Sequence, residues 1–298
     1  MHYGVSLPNN RGVASVRALT DLAAYAEASG YESVWVSEHL MHATYVAERL
    51  GDRPYHEALT VLTAAAMTTS QVLLGTSVLV LPWHHPARLA KTLATLDVLS
   101  EGRVVCGIGV GVTEDEYAAL GVPFKERGRI ADEMLDAMKA LWTQDVPAHR
   151  GAYYAFEGLR FEPKPFTKPH PPIWVGGNSA AALRRVARHG DGWHPLSRSP
   201  NELHAMRSAL ADTLDAAGRT DDKAMPLAVR LTVEFMDEPW ARPVEERRTA
   251  RGTVDELRAL MAAYETAGVT HIIVDAASGD VGHVRALWDR FRTDVVAG

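Results

Sequence analysis

One cysteine in 298 residues leaves no partner for an intramolecular disulfide. Cys106 lies inside the apolar run Val104-Val105-Cys106, where it reads as a buried small residue. Basic residues form no long run, and 31 Lys and Arg against 37 Asp and Glu leave a formal net charge of −6. Composition therefore gives no support to nucleic acid or an anionic membrane as a partner. An anionic ligand would need local help, such as the backbone N–H groups of a helix N-terminus. No apolar run approaches membrane length, and no basic segment followed by an apolar core opens the chain. A cytoplasmic protein is expected. The adjacent His84-His85 raise the question of a metal, but neighbours in sequence do not share a helix face. With no HExxH and no Cys/His spacing either, no metal is expected.

Apolar residues make up 47% of the chain, enough for a large core. The pattern is organised around Val72 to Gly111. An apolar run (Val72–Val78) reads as a strand covered on both faces, Pro86 opens a helix carrying Leu89, Leu93 and Leu96, and Ser100-Glu101-Gly102 breaks it before the next strand. Eight such strand–helix pairs follow each other. Two of the helices open with capping boxes, Ser199…Glu202 and Thr253…Glu256. Strict alternation predicts parallel α/β architecture, and eight units predict a closed barrel. The expected fold is a single (β/α)8 TIM-type barrel domain over residues 1–298, with an insertion around residues 145–172 that holds Tyr153, Tyr154, Phe156, Phe161 and several prolines. Thr113 to Lys125 reads as a polar connection, and Met236 to Arg251 as a charged loop.

Chemistry should gather at the carboxyl ends of the strands. Glu38-His39 follows the second strand, and a histidine there can titrate near neutral pH. Gly109-Val110-Gly111 follows another strand; it is either a tight turn or a bed where a flat ligand meets bare backbone. Gly176-Gly177-Asn178-Ser179 runs straight into a helix and suits a phosphate, although an ordinary capped helix would look the same. Tyr55, His56, Trp83, His84, Trp193 and His194, in neighbouring loops, are the expected walls on the side of a small-molecule substrate.

Leu74-Gly75-Thr76-Ser77-Val78, Ala90 to Asp97, Ser100-Glu101-Gly102-Arg103, Gly121-Val122-Pro123-Phe124 with Arg127, Pro171 to Gly177 and Gly190-Asp191-Gly192-Trp193 occur in this order. Together they resemble the bacterial-luciferase-like superfamily, within it the branch using the deazaflavin coenzyme F420. The resemblance implies a ring lying against the strand ends and a cis peptide between Ser77 and Val78. It implies that Gly109, Val110 and Gly111 line the ring, that Gly176 to Ser179 hold a phosphate, and that His39 lies near the reactive ring. His39 and Glu38 are the expected catalytic residues. Two departures stand out: Glu38 replaces the usual Asp, and Val112 replaces the acid found in the sugar-phosphate dehydrogenases of this group, which argues against that reaction. The function implied is hydride exchange between F420 and a small organic molecule. Alternatives are an FMN-dependent monooxygenase fed by a separate flavin reductase, and a flavin-binding protein without turnover. F420 is preferred because flavin-using relatives often put a basic side chain by the phosphate, where this chain has Val110; Arg127 and Arg129 could meet the coenzyme's anionic tail. A homodimer is left open.

Overall fold

The computed structural model describes residues 1–220 and 224–297. The chain begins β1 (His2–Ser6), α1 (Val16–Ala28), β2 (Ser33–Val36), α2 (Tyr45–Leu50), α3 (Ala58–Thr68), β3 (Leu73–Thr76), β4 (Leu79–Val80) and α4 (Pro86–Leu99). It continues with β5 (Val104–Gly109), α5 (Glu114–Ala119), α6 (Arg127–Thr143), β6 (His149–Arg150), β7 (Ala155–Phe156), β8 (Ile173–Gly176), α7 (Ala180–His189) and β9 (Gly192–His194). The last part is α8 (Pro200–Ala216), β10 (Ala228–Phe235), β11 (Ala250–Gly252), α9 (Val254–Thr266), β12 (His271–Asp275) and α10 (Val281–Arg290).

The strands form a curled parallel sheet in the order β11-β10-β12-β1-β2-β3-β5-β8-β9, with β4 pairing beside β5. Its two sides approach each other: Trp193 in β9 forms one parallel bridge to Leu227, just before β10, and Trp193 N–H donates to Pro226 O at 2.9 Å. Both faces of the sheet are apolar, as parallel strands between layers must be. Alternate residues such as Val34, Leu74, Cys106, Val175 and Trp193 face the helices in the larger core. Trp35, Val105, Trp174, Ala228 and Ile273 fill the inside of the curl. The indoles of Trp35 and Trp174 meet there at 5.3 Å. Trp35 fits because the neighbouring strand offers Gly75: a Cβ on it would lie 2.2 Å from the indole.

The helix boundaries follow local chemistry. Both expected capping boxes are present, at Ser199–Glu202 and Thr253–Glu256. Gly30, at φ +81°, ends α1 where a side chain would be strained. Residues 145–172 hold the antiparallel β6–β7 ribbon and then an extended pass against α4 and α6. Thr167 N–H donates to Asp97 at 2.7 Å, and Lys164 Nζ donates to Leu141 O at 2.8 Å. Two connections hold more structure than their polarity suggested. The stretch after β5 contains α5, and the charged loop after β10 ends in β11, which pairs with β10. No described helix is long and apolar enough to cross a membrane.

Replacing Gly75 by Ala should force Trp35 from its place inside the curl. Overpacking of this kind typically costs ~1–3 kcal/mol. Urea unfolding of Gly75→Ala should show that loss; an unchanged midpoint would mean that the interior has slack beside Trp35.

Candidate functional site

A cavity of about 760 Å³ opens at the carboxyl ends of the strands. Beneath it the chain leaves β3 through the cis peptide Ser77–Val78, the bond the family resemblance implied. Val78 explains two of the glycines. A Cβ on Gly109 would lie 2.7 Å from Val78 Cγ2, and one on Gly176 would lie 3.0 Å from Val78 Cγ1. Gly111, at φ +60°, similarly makes way for Val80. The bare backbone at these strand ends therefore accommodates the valines of the bulge, and Val78 in turn presents itself to the cavity.

Glu38 holds this bulge. One carboxylate oxygen accepts from Val80 N–H at 2.7 Å, and the other meets His84 Nε2 at 2.9 Å. Burial opposes a charge on His84, but the Glu38 carboxylate more than offsets it and raises the imidazole above its ordinary value. His84 is thereby turned away from the cavity it was expected to wall.

The next residue, His39, serves a different partner. Its Nδ1 lies 2.6 Å from Glu116 on α5, a residue with 0% exposure. The other Glu116 oxygen accepts from Leu40 and Met41 N–H at 2.9 and 3.1 Å. Burial alone would raise the Glu116 carboxyl, yet His39 and the two amides outweigh it and hold it below the usual range. The ionised carboxylate makes His39 Nδ1 the donor, which leaves Nε2 facing the hydroxyl of Tyr45 at 2.6 Å. Burial raises the Tyr45 phenol, so it keeps its proton beside Nε2. Trp83 and Tyr55 flank the imidazole with ring centroids at 5.8 and 5.7 Å.

His194 completes the floor. Its Nδ1–H donates to Ala228 O, and its Nε2 accepts from Ser77 Oγ, each at 2.8 Å. Burial lowers its pKa to about 4, so the ring is neutral at pH 7 and Ser77 must donate to it. Trp193, one residue earlier, faces the helices at 0% exposure and donates to Gly177 O at 2.9 Å. It is no substrate wall, because adjacent strand residues point to opposite faces. His56 is also elsewhere: Nε2 pairs with Val13 O at 2.7 Å, fixing the connection after β1.

At the far side the N-terminus of α7 faces the cavity through Ala181 and Ala182. Asn178 is occupied on both side-chain atoms by the backbone of Leu196, and Ser179 Oγ caps Ala182 N–H at 3.2 Å. The unspent donors of the helix's first turn are the N–H groups of Ala180 and Ala181. Lys125, Arg127 and Arg185 line the same cavity, although no basic residue adjoins Val110 in sequence. Arg129 lies outside, 74% exposed and paired with Glu126. Val110 therefore does not disfavour FMN, because cations from other elements line the same cavity. Among the described residues, no group of three or more His, Cys, Asp and Glu could hold a metal ion.

A model of the luciferase-like monooxygenase family matches residues 1–242. The chain belongs to this family. Two of its relatives have a stated chemistry. An F420-dependent glucose-6-phosphate dehydrogenase of Kineococcus radiotolerans is 30% identical, covering 93% of this chain and 91% of that protein. An FMNH(2)-dependent dimethylsulfone monooxygenase of Pseudomonas putida is 31% identical over 81% of this chain and 60% of its own length. The crystal structure of monooxygenase RslO1 from Streptomyces bottropensis superposes with a TM-score of 0.85 over 100% of this chain and 99% of that one, at 23% identity, and so shares the fold. Relatives of this oxidoreductase family thus include users of both cofactors.

Glu116 and Tyr45 went unselected in the sequence. Glu116 stands in Glu114-Asp115-Glu116, three acids that composition cannot tell apart, and only the inward turn of α5 singles it out.

His194 carries a pH signature. Its folded pKa, about 4, lies below the ordinary 6.5, so the unfolded chain takes up the proton first. Stability is then full above pH 6.5 and falls as the pH drops toward 4, by on the order of 3 kcal/mol from this group. His194→Gln offers a donor and an acceptor without titrating. Urea unfolding at several pH values should give the variant a shallower acid slope than wild type, the remainder coming from the other buried histidines. Parallel slopes would mean that His194 is not buried as a neutral ring.

Proposed function

We propose that the chain forms one (β/α)8 barrel domain and acts as an F420-dependent oxidoreductase, exchanging hydride between the deazaflavin and a small organic substrate. The observation carrying this reading is that one cavity joins a helix N-terminus suited to phosphate with a histidine clamped by a buried carboxylate. Val78 would back the ring, and the first turn of α7 would hold the phosphate. When bound, F420 supplies a carbon centre that gives or takes hydride and favours two-electron chemistry.

The protein's part is to position, shield and move a proton. Glu116 keeps Nδ1 of His39 protonated, so exchange runs through Nε2. Tyr45, 46% exposed at the cavity wall, can pass a proton between Nε2 and the substrate. Glu38, both oxygens engaged by the bulge, is in this reading a positioning residue rather than a proton carrier.

The cofactor choice rests on charge. Lys125, Arg127, Arg185 and Arg248 all line the cavity, more cations than one phosphate needs and suited to a long anionic tail. Asp132 and Glu202 partly neutralise Arg185 and Arg248, which leaves Lys125 and Arg127 as the stronger part of the argument. The same cations could satisfy FMN, so a monooxygenase working with a separate reductase is the second reading, supported by the dimethylsulfone monooxygenase relative. Titrating apo protein with each cofactor by ring fluorescence should give tighter binding of F420. Tight FMN binding with no detectable F420 binding would put the second reading first.

With the matching substrate in hand, His39→Ala should keep the fold and the cofactor affinity but lower kcat by ~10²–10⁴-fold, the range for a positioned acid or base. An unchanged kcat would remove His39 from the chemistry. Cofactor binding without turnover on any substrate would instead favour a carrier protein.

A further inference from the structure

The cavity has a second cationic cluster, on different elements from the phosphate site. Arg11 follows β1, Arg230 lies in β10, Asp275 ends β12 and Arg49 stands on α2; all four line the cavity. Asp275 Oδ2 accepts from Arg11 Nη2 at 3.0 Å and from Arg230 Nε and Nη2 at 3.1 and 2.8 Å, and its other oxygen accepts from Ala277 N–H. Burial resists the charge on Asp275, but Arg230 and Arg11 hold its pKa at about 2, so it is ionised. Three guanidinium groups thus line this part of the cavity with one carboxylate, which two of them hold. Arg49 has no carboxylate partner among the described residues, and its Nε, like Arg11 Nε, is buried without a hydrogen bond.

Arg11, after β1, is far from α7 in the strand order, while Arg230, on β10, is two strands from β8. Going round the curl from β1, the order is β2, β3, β5, β8 one way and β12, β10, β9, β8 the other. The end of β8, which leads into α7, is therefore four strands from β1 in either direction. His39, after β2, and the Ser77–Val78 bulge, after β3, lie on the first way round. Tyr45 links the cluster to the reactive centre: its ring lies 5.8 Å from the Arg49 guanidinium while its hydroxyl meets His39.

We propose that Arg11, Arg49 and Arg230 form a subsite for an anionic group on the substrate, so that the molecule acted on is a small organic acid, a carboxylate or a sulfonate. This rests on the reading above, in which the cofactor phosphate takes the α7 end. Two uncompensated positive charges in a recessed cavity favour an anion over a neutral molecule of equal size. Guanidinium forks also match the paired oxygens of these acids. Asp275 is then the group that fixes Arg11 and Arg230, while Arg49 remains free to meet the ligand.

The test uses the full chain and defined probes. Ligand-detected NMR titrations with butanoate, propane-1-sulfonate and neutral 1-butanol, at low and high salt, read the subsite without turnover. The two anions should bind more tightly than the alcohol and weaken with salt, and their relative affinities tell carboxylate from sulfonate. Arg49→Gln should weaken anion binding about tenfold or more, and Arg49→Lys should recover part of it. Thermal melts and cofactor titrations of both variants should match wild type. Equal binding of alcohol and anions, anion binding untouched in Arg49→Gln, or displacement of the anions by F420 or FMN would each overturn the proposal. If neither cofactor binds wild type, the redox reading falls, while salt-sensitive, Arg49-dependent anion binding would still support the subsite.

Discussion

A single buried carboxylate, Glu116, fastens the reactive end of this protein together. It joins α5 to the start of the long connection after β2 through His39 and two backbone amides. A carboxylate at 0% exposure is costly unless each oxygen is satisfied, and a truncated partner would leave that cost exposed. Three donors from one short segment meet the requirement and at the same time set the direction of the imidazole. The orientation of the His39 imidazole, the direction of Nε2 and the approach of Tyr45 all depend on this clamp.

Glu38 performs the neighbouring task with the same chemistry. Consecutive residues at a strand end point to different sides, so Glu38 reaches the bulge after β3 while His39 reaches α5. The two acids thereby set two halves of the cavity floor, one around Val78 and one around His39. Glycine contributes by leaving room. Val78 can occupy the centre of the strand ends because Gly109 and Gly176 have no side chain to meet it.

Electrostatics separates the cavity from the rest of the surface. The chain carries a net −6, yet arginines and a lysine gather around the cavity while Glu38 and Asp275 are its only acids among the described lining residues. A recessed, low-dielectric cleft concentrates such a field, so an anion can be drawn into a protein whose overall charge would repel it. Bulk composition averages over this difference.

Periodicity, turn chemistry and capping act within a few residues, so the sequence by itself determined the alternation of strands and helices, the two capping boxes, the helix opening at Pro86 and the glycine lead-in to α7. It also marked His39, whose position at the end of β2 follows from where that strand stops. The tertiary structure alone decided which of several similar residues meet. His39 and Glu116 are 77 positions apart, and His194 and Ser77 are 117 apart. Sequence likewise could not tell that His84, His56 and Trp193 turn away while His194, Trp83 and Tyr55 turn in. Nor could it tell that basic residues scattered from Arg11 to Arg248 converge on one cavity. A curled parallel sheet brings distant strand ends to one rim, and a side chain's use there depends on its face and partner, which no local pattern records.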